Sequence, residues 1–452
     1  MLNQSRFTII NADLVLSSTG ENQVIDIRES IIQLQFFEHL NKPFVDAGVI
    51  LIDDFGLRSS LSTSGTERLF LVIANGEDPN EPVIQKTFFF SSIKDVQKGN
   101  DRAEILSLDL VEEHVYVDAI KSISRSYETT LENACIGIAQ QDLKKTIVKT
   151  SKFDGSVQGE RKVVIPYMSP LEAIRWLNDR MTTKTGSPIY ISGDLYSPYL
   201  YMRSLDRLLQ DEPINKKLPL RYTDATGCVS DENEGLKVYY EIKRFKEMNI
   251  DNALALYEDG AIGSLYSNID ASTGQAYSSH ISIRDILNDF YVNGLIEDNA
   301  VQSIFDPTLE IDGKFSDEYN SLNIHQVTST NTYNQFKSYH DETQLIEDQD
   351  LFESRLKAKN KVIRQILKKN KITIEMSGSL FFEQKISPGK RLRMIFLSPN
   401  VQGDIKDVNT TVDSRKSGDY LLMAIGHTML QENHNVSCEL IKLSDLPSDF
   451  TL

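Results

Sequence analysis

Cysteine is scarce in this chain of 452 residues. Its three cysteines, Cys135, Cys228 and Cys438, lie far apart, and no C-x-x-C pair occurs. A disulfide framework or a cysteine-based zinc site needs closely spaced or evenly paired cysteines, so neither organises this fold. We expect three reduced thiols buried in cores, in a protein made in a reducing cytoplasm.

Long apolar runs are also missing. No stretch of 18 apolar residues occurs, and residues 1–10 contain one arginine and no apolar run of the kind found in signal peptides. We therefore expect no signal peptide, no membrane span and no stable insertion into a membrane.

Several catalytic and nucleotide-binding motifs are absent as well. There is no Walker A motif, no G-x-S-x-G and no H-E-x-x-H, and Gly260 and Gly263 lack the third glycine of a dinucleotide fingerprint. His427, His434 and Glu432 could meet across a hairpin and bind a metal, but their spacing is weak evidence for a site. We therefore predict no catalytic, cofactor-binding or metal-binding residues, and no cofactor.

Neighbouring carboxylates are the remaining candidates for catalysis, since two acids can hydrolyse a glycan. With 65 acidic residues such pairs arise by chance, and no apolar pattern around them suggests a raised pKa. We therefore predict that the protein is not an enzyme. The pairs considered are Asp53-Asp54, Glu112-Glu113 and Glu347-Asp348 with Asp350.

The overall charge is acidic, with 48 basic residues against 65 acidic ones and a net charge of −17. Such a surface repels phosphate backbones, so DNA would pass by this protein rather than be held. The segment from Arg355 to Lys371 is the exception, with eight basic residues and no acidic one. A solvated helix face, an acidic partner surface or DNA in a channel are the alternatives for it.

The first 120 residues predict several short strands, as in a β-sandwich or barrel. A composition of 40% hydrophobic residues and the chain length together indicate two to four domains with real cores. The predicted strands are Phe7 to Leu16, Ala47 to Ile52, Leu69 to Ala74, Lys86 to Phe90 and His114 to Val117.

Helical periodicity follows. Apolar residues at i, i+3, i+4 and i+7 predict a helix from Leu131 to Ile138, and Ser169-Pro170 with Glu172 predicts a capped helix start. Further helices are predicted over Leu205 to Leu209, from Ile283 with Ser282 as its cap, and over Glu353 to Asn370.

The other segments predict strands and loops. Predicted strands are Pro188 to Ser192, Pro198 to Met202, Val238 to Ile242, Ala253 to Tyr257, Ile262 to Tyr266, Ile372 to Met376, Leu392 to Phe396, Tyr420 to Leu430 and Val436 to Leu443. Asp259-Gly260 and Pro388-Gly389 predict turns, and Gln431 to Asn435 predicts a hairpin loop. The polar stretch Asp306 to Thr343 predicts irregular structure over the surface.

Three segments resemble the baseplate hub proteins of contractile-tailed, T-even-like bacteriophages, which are related to the base of secretion-system spikes. The first is Val24 to Ser30 followed by Val49 to Asp54. The second is Met168 to Leu177, with Ser197-Pro198-Tyr199-Leu200-Tyr201 and Ser204-Leu205-Asp206 after it. The third is Ser417 to His427 with Val436 to Lys442. The polar region Asp306 to Gln344 is longer than in that family.

The resemblance implies an α+β, mostly β fold, in which two barrel-like antiparallel β domains are joined by an α/β middle domain. Implied boundaries are 1–122 for the first β domain, 123–236 plus 271–370 for the middle domain, 237–270 plus 371–445 for the second β domain, and 446–452 for a C-terminal tail. Edge strands would join the subunits.

It also implies a structural role in the virion, in the tail baseplate, after assembly in the host cytoplasm. A homotrimer would form a pseudo-six-fold ring between a hexameric tail tube, or tube-initiating proteins, and a trimeric central spike. DNA would touch the ring only in passage. The alternatives are a tail-associated cell-wall hydrolase, a wedge or tube-initiating protein, and a receptor-binding adhesin.

Overall fold

The computed structural model of the chain describes residues 7–446 with interruptions. The gaps are 19–20, 55, 62–66, 77, 99–102, 151–152, 154, 157–158, 223–239, 249–252, 259, 261, 271–275, 296–309, 329–345, 368–370, 398–411, 414 and 432.

A first β region follows the N-terminus. Its strands are β1 (Phe7–Ser18), β2 (Glu21–Asp26), β3 (Ile31–His39), β4 (Asp46–Asp53), β5 (Arg68–Asn75), β6 (Asp78–Lys98) and β7 (Glu104–Glu112), with helices α1 (Leu57–Ser60) and α2 (Glu113–Ile120). The antiparallel order is β3-β4-β7-β6-β5-β1-β2. Alternate residues point inward, as Leu34 and Phe36 of β3 do, and form one apolar core.

A mixed α/β region comes next. It contains β8 (Ile123–Thr129), α3 (Leu131–Asp142), β9 (Ile147–Lys149), β10 (Arg161–Met168), α4 (Pro170–Asn178), β11 (Ile189–Ser192), β12 (Leu200–Ser204), α5 (Leu205–Gln210) and β13 (Leu220–Tyr222). Helices α3 and α4 pack on the sheet β11-β12-β9 around a separate core. Strands β8 and β10 form a two-stranded ribbon.

The remainder of the chain completes a second β region and adds helices. It contains β14 (Ile242–Met248), α6 (Ala253–Glu258), β15 (Gly263–Asp270), β16 (Ala276–Ser282), α7 (Ile283–Val292), β17 (Glu310–Ile311), β18 (Lys314–Phe315), β19 (Leu322–Thr328), α8 (Ile346–Ile366), β20 (Lys371–Ser377), α9 (Ser379–Glu383), β21 (Arg391–Phe396), β22 (Gly418–Leu430) and β23 (Asn433–Ser444).

The two β regions share one sheet. Strands β14-β20-β23-β22 continue into β3 through antiparallel pairing of β22 with β3, which places Ile425 opposite Glu38 and His427 opposite Phe36. Strand β15 lies in another sheet, between β16 and β19. The fold is mostly β with antiparallel sheets and an α/β part, which confirms the predicted class at that level.

Strand β22 is buried on both faces. Leu422 belongs to the core of the second β region, whereas Leu421 and Met423 pack against the layer of helices α5, α7 and α8. This double burial explains the unbroken apolar run in its sequence, because neither face of the strand meets water.

Most of the predicted helices form with the expected caps. Ser169 Oγ accepts a hydrogen bond from the amide of Glu172, and Ser282 Oγ accepts one from the amide of Arg284. Asp118 adds a contact that the sequence did not predict, since its carboxylate accepts from the amide of Leu171 at 2.6 Å. A carboxylate at a helix N-terminus favours that helix through the positive end of its dipole.

Two predicted strands are wrong. His114 to Val117 lies in helix α2, because the strand preference of its valines depends on context and yields to tertiary packing; here the buried imidazole of His114 lies 2.8 Å from the carbonyl oxygen of Pro43. Ala253 to Tyr257 lies in α6, since the alternation of alanine and leucine also suits a helix. The hairpin predicted around Asp259-Gly260 therefore does not form, and β15 pairs elsewhere.

Several boundaries also differ from the prediction. Strand β14 begins at Ile242, where the predicted strand was to end. Strand β22 ends at Leu430 as predicted, but β23 begins at Asn433 instead of Val436, so that two residues, not five, separate the two strands. Part of the polar stretch Asp306 to Thr343 is ordered as β17, β18 and β19. No helix in the described part of the chain has the length and apolarity of a membrane span.

Candidate functional site

The candidate catalytic carboxylates have structural partners. Asp53 is buried, and its two oxygens accept from the amides of Leu57 and Arg58 at 2.7 and 2.8 Å, where α1 begins. Its neighbour Asp54 is exposed. Glu347, Asp348 and Asp350 lie in α8, but their side chains fall outside the described residues.

Glu112 is buried in a network of positive charges. Its carboxylate lies 3.2 Å from Nζ of Lys86 and 3.0 Å from Nζ of Lys145, and it accepts from the amide of Val45 at 2.9 Å. Burial alone would raise the pKa of Glu112, but the two lysines outweigh it and lower that pKa to about 2. This is the reverse of a general acid, which needs a raised pKa. Its neighbour Glu113 is exposed.

The two histidines of the last hairpin do meet. Nδ1 of His427 and Nε2 of His434 are 3.0 Å apart, in one hydrogen bond between buried rings. Nε2 of His427 lies 3.5 Å from Oε2 of Glu38, on the adjacent strand β3. Glu432, the third proposed ligand, is outside the described residues.

This histidine pair is packed against neighbouring groups. The ring of Phe382 lies 4.1 Å from that of His434, centroid to centroid, and the backbone of Gly378 touches the same imidazole. The facing nitrogens already bind each other, so a metal would have to separate them. Among the described residues, no group of three histidine, cysteine, aspartate or glutamate side chains could hold a metal ion.

Burial sets the protonation of this cluster. It lowers the pKa of His434 well below its ordinary value and raises the pKa of Glu38. His434 is therefore neutral at pH 7. The hydrogen bond between the two rings requires this, because at least one of two hydrogen-bonded imidazoles must be neutral to accept.

The loop of residues 193–199 ties the α/β region to both β regions. The amide of Leu195 donates to Oε1 of Glu38 at 2.6 Å, on the first β region. The hydroxyl of Tyr196 donates to the carbonyl of Phe381 at 3.2 Å, on the second. Lys145 bridges Glu112 to the carbonyl of Pro198, 3.2 Å from its Nζ. We call this loop, together with Glu38, His427 and His434, the junction.

Two of the motifs behind the family resemblance contribute residues to the junction, namely residues 197–199 and His427, and other motif residues make internal contacts. In the third motif, Asp419 accepts two hydrogen bonds from Arg393, at 2.7 and 3.0 Å, inside the second β region. In the second motif, the guanidinium of Arg180 lies 3.7 Å from the ring of Trp176. These contacts of the matched residues hold packed side chains in place.

Sequence reasoning missed Glu38, Lys86 and Lys145. Glu38 alone had a readable signal, because it continues the inward-facing series of Leu34 and Phe36. A carboxylate on the buried face of a strand needs a buried partner. The cysteines were expected in cores, and Cys135 and Cys438 are buried there, while Cys228 is outside the described residues.

Exposed apolar side chains lie on and next to the ribbon of β8 and β10. The side chains of Val164 and Tyr167 on β10 are 63% and 80% exposed, and Ile120, just before β8, is 73% exposed. Among the described residues β8 and β10 pair only with each other, which leaves each strand an edge that another chain could pair with. We call these three residues and the two strands the ribbon patch.

No protein-family model matches the chain, and no curated protein matches it. Solved structures do. The tail protein from Neisseria meningitidis MC58 superposes with a TM-score of 0.50 at 12% identity, covering 96% of this chain and 97% of that one. The 43 kDa tail protein of prophage MuSo2 from Shewanella oneidensis gives 0.47 at 10% identity, covering 95% and 98%. A chain of the Francisella PdpA–VgrG complex gives 0.45 at 9%, covering 100% and 54%. The chain therefore shares its fold with a tail protein over nearly its whole length.

Proposed function

We propose that this chain is a structural subunit of a phage-type tail, the baseplate hub that joins a six-fold tail tube to a three-fold central spike. In this proposal three copies form a ring, and the subunit does no chemistry of its own. Its place is the tail baseplate of the virion, after assembly in the host cytoplasm.

The observation that carries this proposal is the likeness to the Neisseria tail protein, which extends over 96% of the chain and 97% of that protein. A match of this extent leaves no large part of the chain for a separate catalytic domain. The three motifs that resemble hub proteins lie in the same order along the chain, and they build its packing.

The arrangement of the cores suits an adaptor. Each of the two β regions has its own buried core, and they are joined along β3 and β22. If each region occupies one position around an axis, three chains present six similar positions to a tube and three identical ones to a spike. The two-barrel division 1–122 and 237–270 plus 371–445, with 123–236 plus 271–370 between them and 446–452 as a tail, belongs to this proposal.

The junction would keep this geometry fixed during contraction of a tail. Its contacts are buried, and they include a carboxylate, two imidazoles and backbone groups drawn from all three parts of the chain. A shift of one region would break these buried hydrogen bonds, so they favour one relative orientation of the regions.

The net charge of −17 would help DNA to pass through the ring. Acidic side chains around a channel would repel the phosphate backbone and prevent retention during ejection. A ring whose inner wall carries a positive potential would exclude this part of the proposal.

Electron microscopy of the purified protein, alone and mixed with the spike and tube proteins of the same tail, tests the proposal. We expect three-subunit rings with a central channel, with the spike on one face and the tube on the other. Rings of six subunits would instead indicate a wedge or tube-initiating protein.

A further inference from the structure

A cleft of about 650 Å³ lies between the basic helix α8, strand β19 and the ends of β3, β22 and β23. Pockets of this size hold small ligands or a few side chains. No step of the proposed function uses this cleft, and it lies apart from the junction.

The cleft is positive in a chain that is strongly acidic overall. Lys361 and Arg364 of α8 and Lys371 line it together with His325 and with His39, whose pKa is lowered by burial, and none of its described lining residues is aspartate or glutamate. Lys371 is neutralised by an ion pair with Glu439. Lys361 is exposed and has no ion pair among the described residues.

Two residues that line the cleft each have a buried polar atom that makes no hydrogen bond. Nε of Arg364 donates to Oδ1 of Asn360 at 2.7 Å, but its Nη2 is buried and makes no hydrogen bond. Oε1 of Gln365, the next residue, is likewise buried and unpaired. An unpaired buried donor or acceptor costs free energy, so each atom would gain from a ligand. One atom needs an acceptor and the other needs a donor.

The remaining wall is apolar. Tyr190, Met423 and Ile441 are buried residues of the core beneath α8, and Leu367 packs against it. A ligand that fills the cleft must therefore bring apolar atoms as well as negative charge.

We propose that this cleft binds an acidic segment of a partner protein, in which aspartate or glutamate flanks an apolar side chain. A carboxylate would pair with Arg364 and Lys361, a backbone N–H would reach Oε1 of Gln365, and the apolar side chain would lie on Met423 and Ile441. The pairing of anion and N–H donor fits a peptide better than phosphate, which has no such donor. This inference does not rest on the proposed trimer.

Nucleic acid fits less well. The chain carries a net charge of −17, so binding a polyanion would bring many phosphates near a repulsive surface. A short acidic segment brings only the charges that the cleft can pair.

The test is selection of a random twelve-residue peptide library on the intact protein, with counter-selection on a Lys361→Glu/Arg364→Ala variant. Lys361→Glu alone is a second variant, because its side chain is exposed and its loss does not disturb a core. Arg355→Glu is the matched control, with the same charge change on the same helix, outside the cleft. Thermal unfolding checks that each variant folds.

We expect enriched peptides with two or more acidic residues beside a leucine, isoleucine or phenylalanine. Their affinity should fall roughly tenfold or more in Lys361→Glu and in the double variant, as loss of charged hydrogen bonds predicts, and stay unchanged in Arg355→Glu. No enrichment, enrichment of non-acidic peptides, or equal binding to all variants would overturn the proposal. A change in the oligomeric mass of the cleft variants would also overturn it, because the cleft would then be a contact between copies of the chain. Displacement of the peptides by duplex DNA would overturn it as well.

Discussion

Single buried groups decide how firmly the regions of this chain are held. Gly378 has an ordinary φ of −82°, so it is not needed for its backbone conformation. It is needed for space, because a Cβ there would lie 2.1 Å from Nδ1 of His434. The absence of a side chain at position 378 thus leaves room for the buried imidazole of His434 in the junction.

We predict that Gly378→Ala lowers the free energy of unfolding by about 2–4 kcal/mol, since the imidazole or the backbone must move in a packed core. Urea unfolding followed by circular dichroism measures this. Gly159→Ala is the control, because nothing lies within 4 Å of a Cβ at that position. Equal urea midpoints for the two variants would show that the core around His434 accommodates the added methyl group at little cost.

A second prediction concerns Glu112, whose pKa of about 2 is below the ordinary 4.5. Because the folded state has the lower pKa, the ionised carboxylate stabilises the fold fully above pH 4.5, and this contribution is lost as the pH falls towards 2. A difference of this size corresponds to roughly 3 kcal/mol. Glu112→Gln should lose about that much at pH 7.

The same variant should also lose stability less steeply than the wild type between pH 4.5 and 3. Unfolding by urea at several pH values gives both quantities. The exposed neighbour serves as the control, and Glu113→Gln should change the unfolding free energy by less than about 0.5 kcal/mol. Parallel pH profiles for Glu112→Gln and the wild type would mean that Glu112 is not the group responsible.

At the scale of elements, local sequence patterns predicted the helices better than the strands. Ser169 and Ser282 begin helices as expected, because capping is decided within a few residues. The strand predicted over His114 to Val117 was wrong because strand propensity depends on context and tertiary packing overrides it. The sharing of one sheet by β3 and β22 could not be predicted, since that pairing joins segments from opposite ends of the chain.

For the candidate sites, too, contacts between distant segments of the chain could not be predicted. The sequence suggested that His427 and His434 could meet across the last hairpin, although it put His434 in the loop, and they do meet. It could not show that Glu38 and Phe382 complete their surroundings, because these partners come from other strands and helices. The role of the cluster as packing follows only from those tertiary contacts.

The ribbon patch leads to a third prediction. If it joins subunits, Tyr167→Glu should weaken the oligomer, because a charge would be buried in an apolar contact. The fold itself should keep its unfolding free energy within about 0.5 kcal/mol, since the side chain is exposed. Sedimentation velocity across a concentration series measures the association.

Val292→Glu is the matched control, because Val292 is also 80% exposed but lies on α7. An oligomer that Tyr167→Glu leaves intact, or that Val292→Glu weakens equally, would remove the ribbon patch from the subunit interface.

At the scale of the whole molecule, the proposed adaptor role depends on assembly. The fold places two β regions, each with its own core, on one continuous sheet, and an α/β part fixes their orientation through the junction. Such a chain gains a function as an adaptor only when several copies surround an axis, since symmetry resolves the mismatch between tube and spike.

The mass of the purified protein in solution, with and without the spike protein of the same tail, tests this claim most directly. Native mass spectrometry or light scattering after size exclusion provides it. The account predicts a trimer, or a monomer that the spike converts to a complex of three and three chains. A stable monomer or dimer whose mass no spike protein alters would contradict the adaptor role.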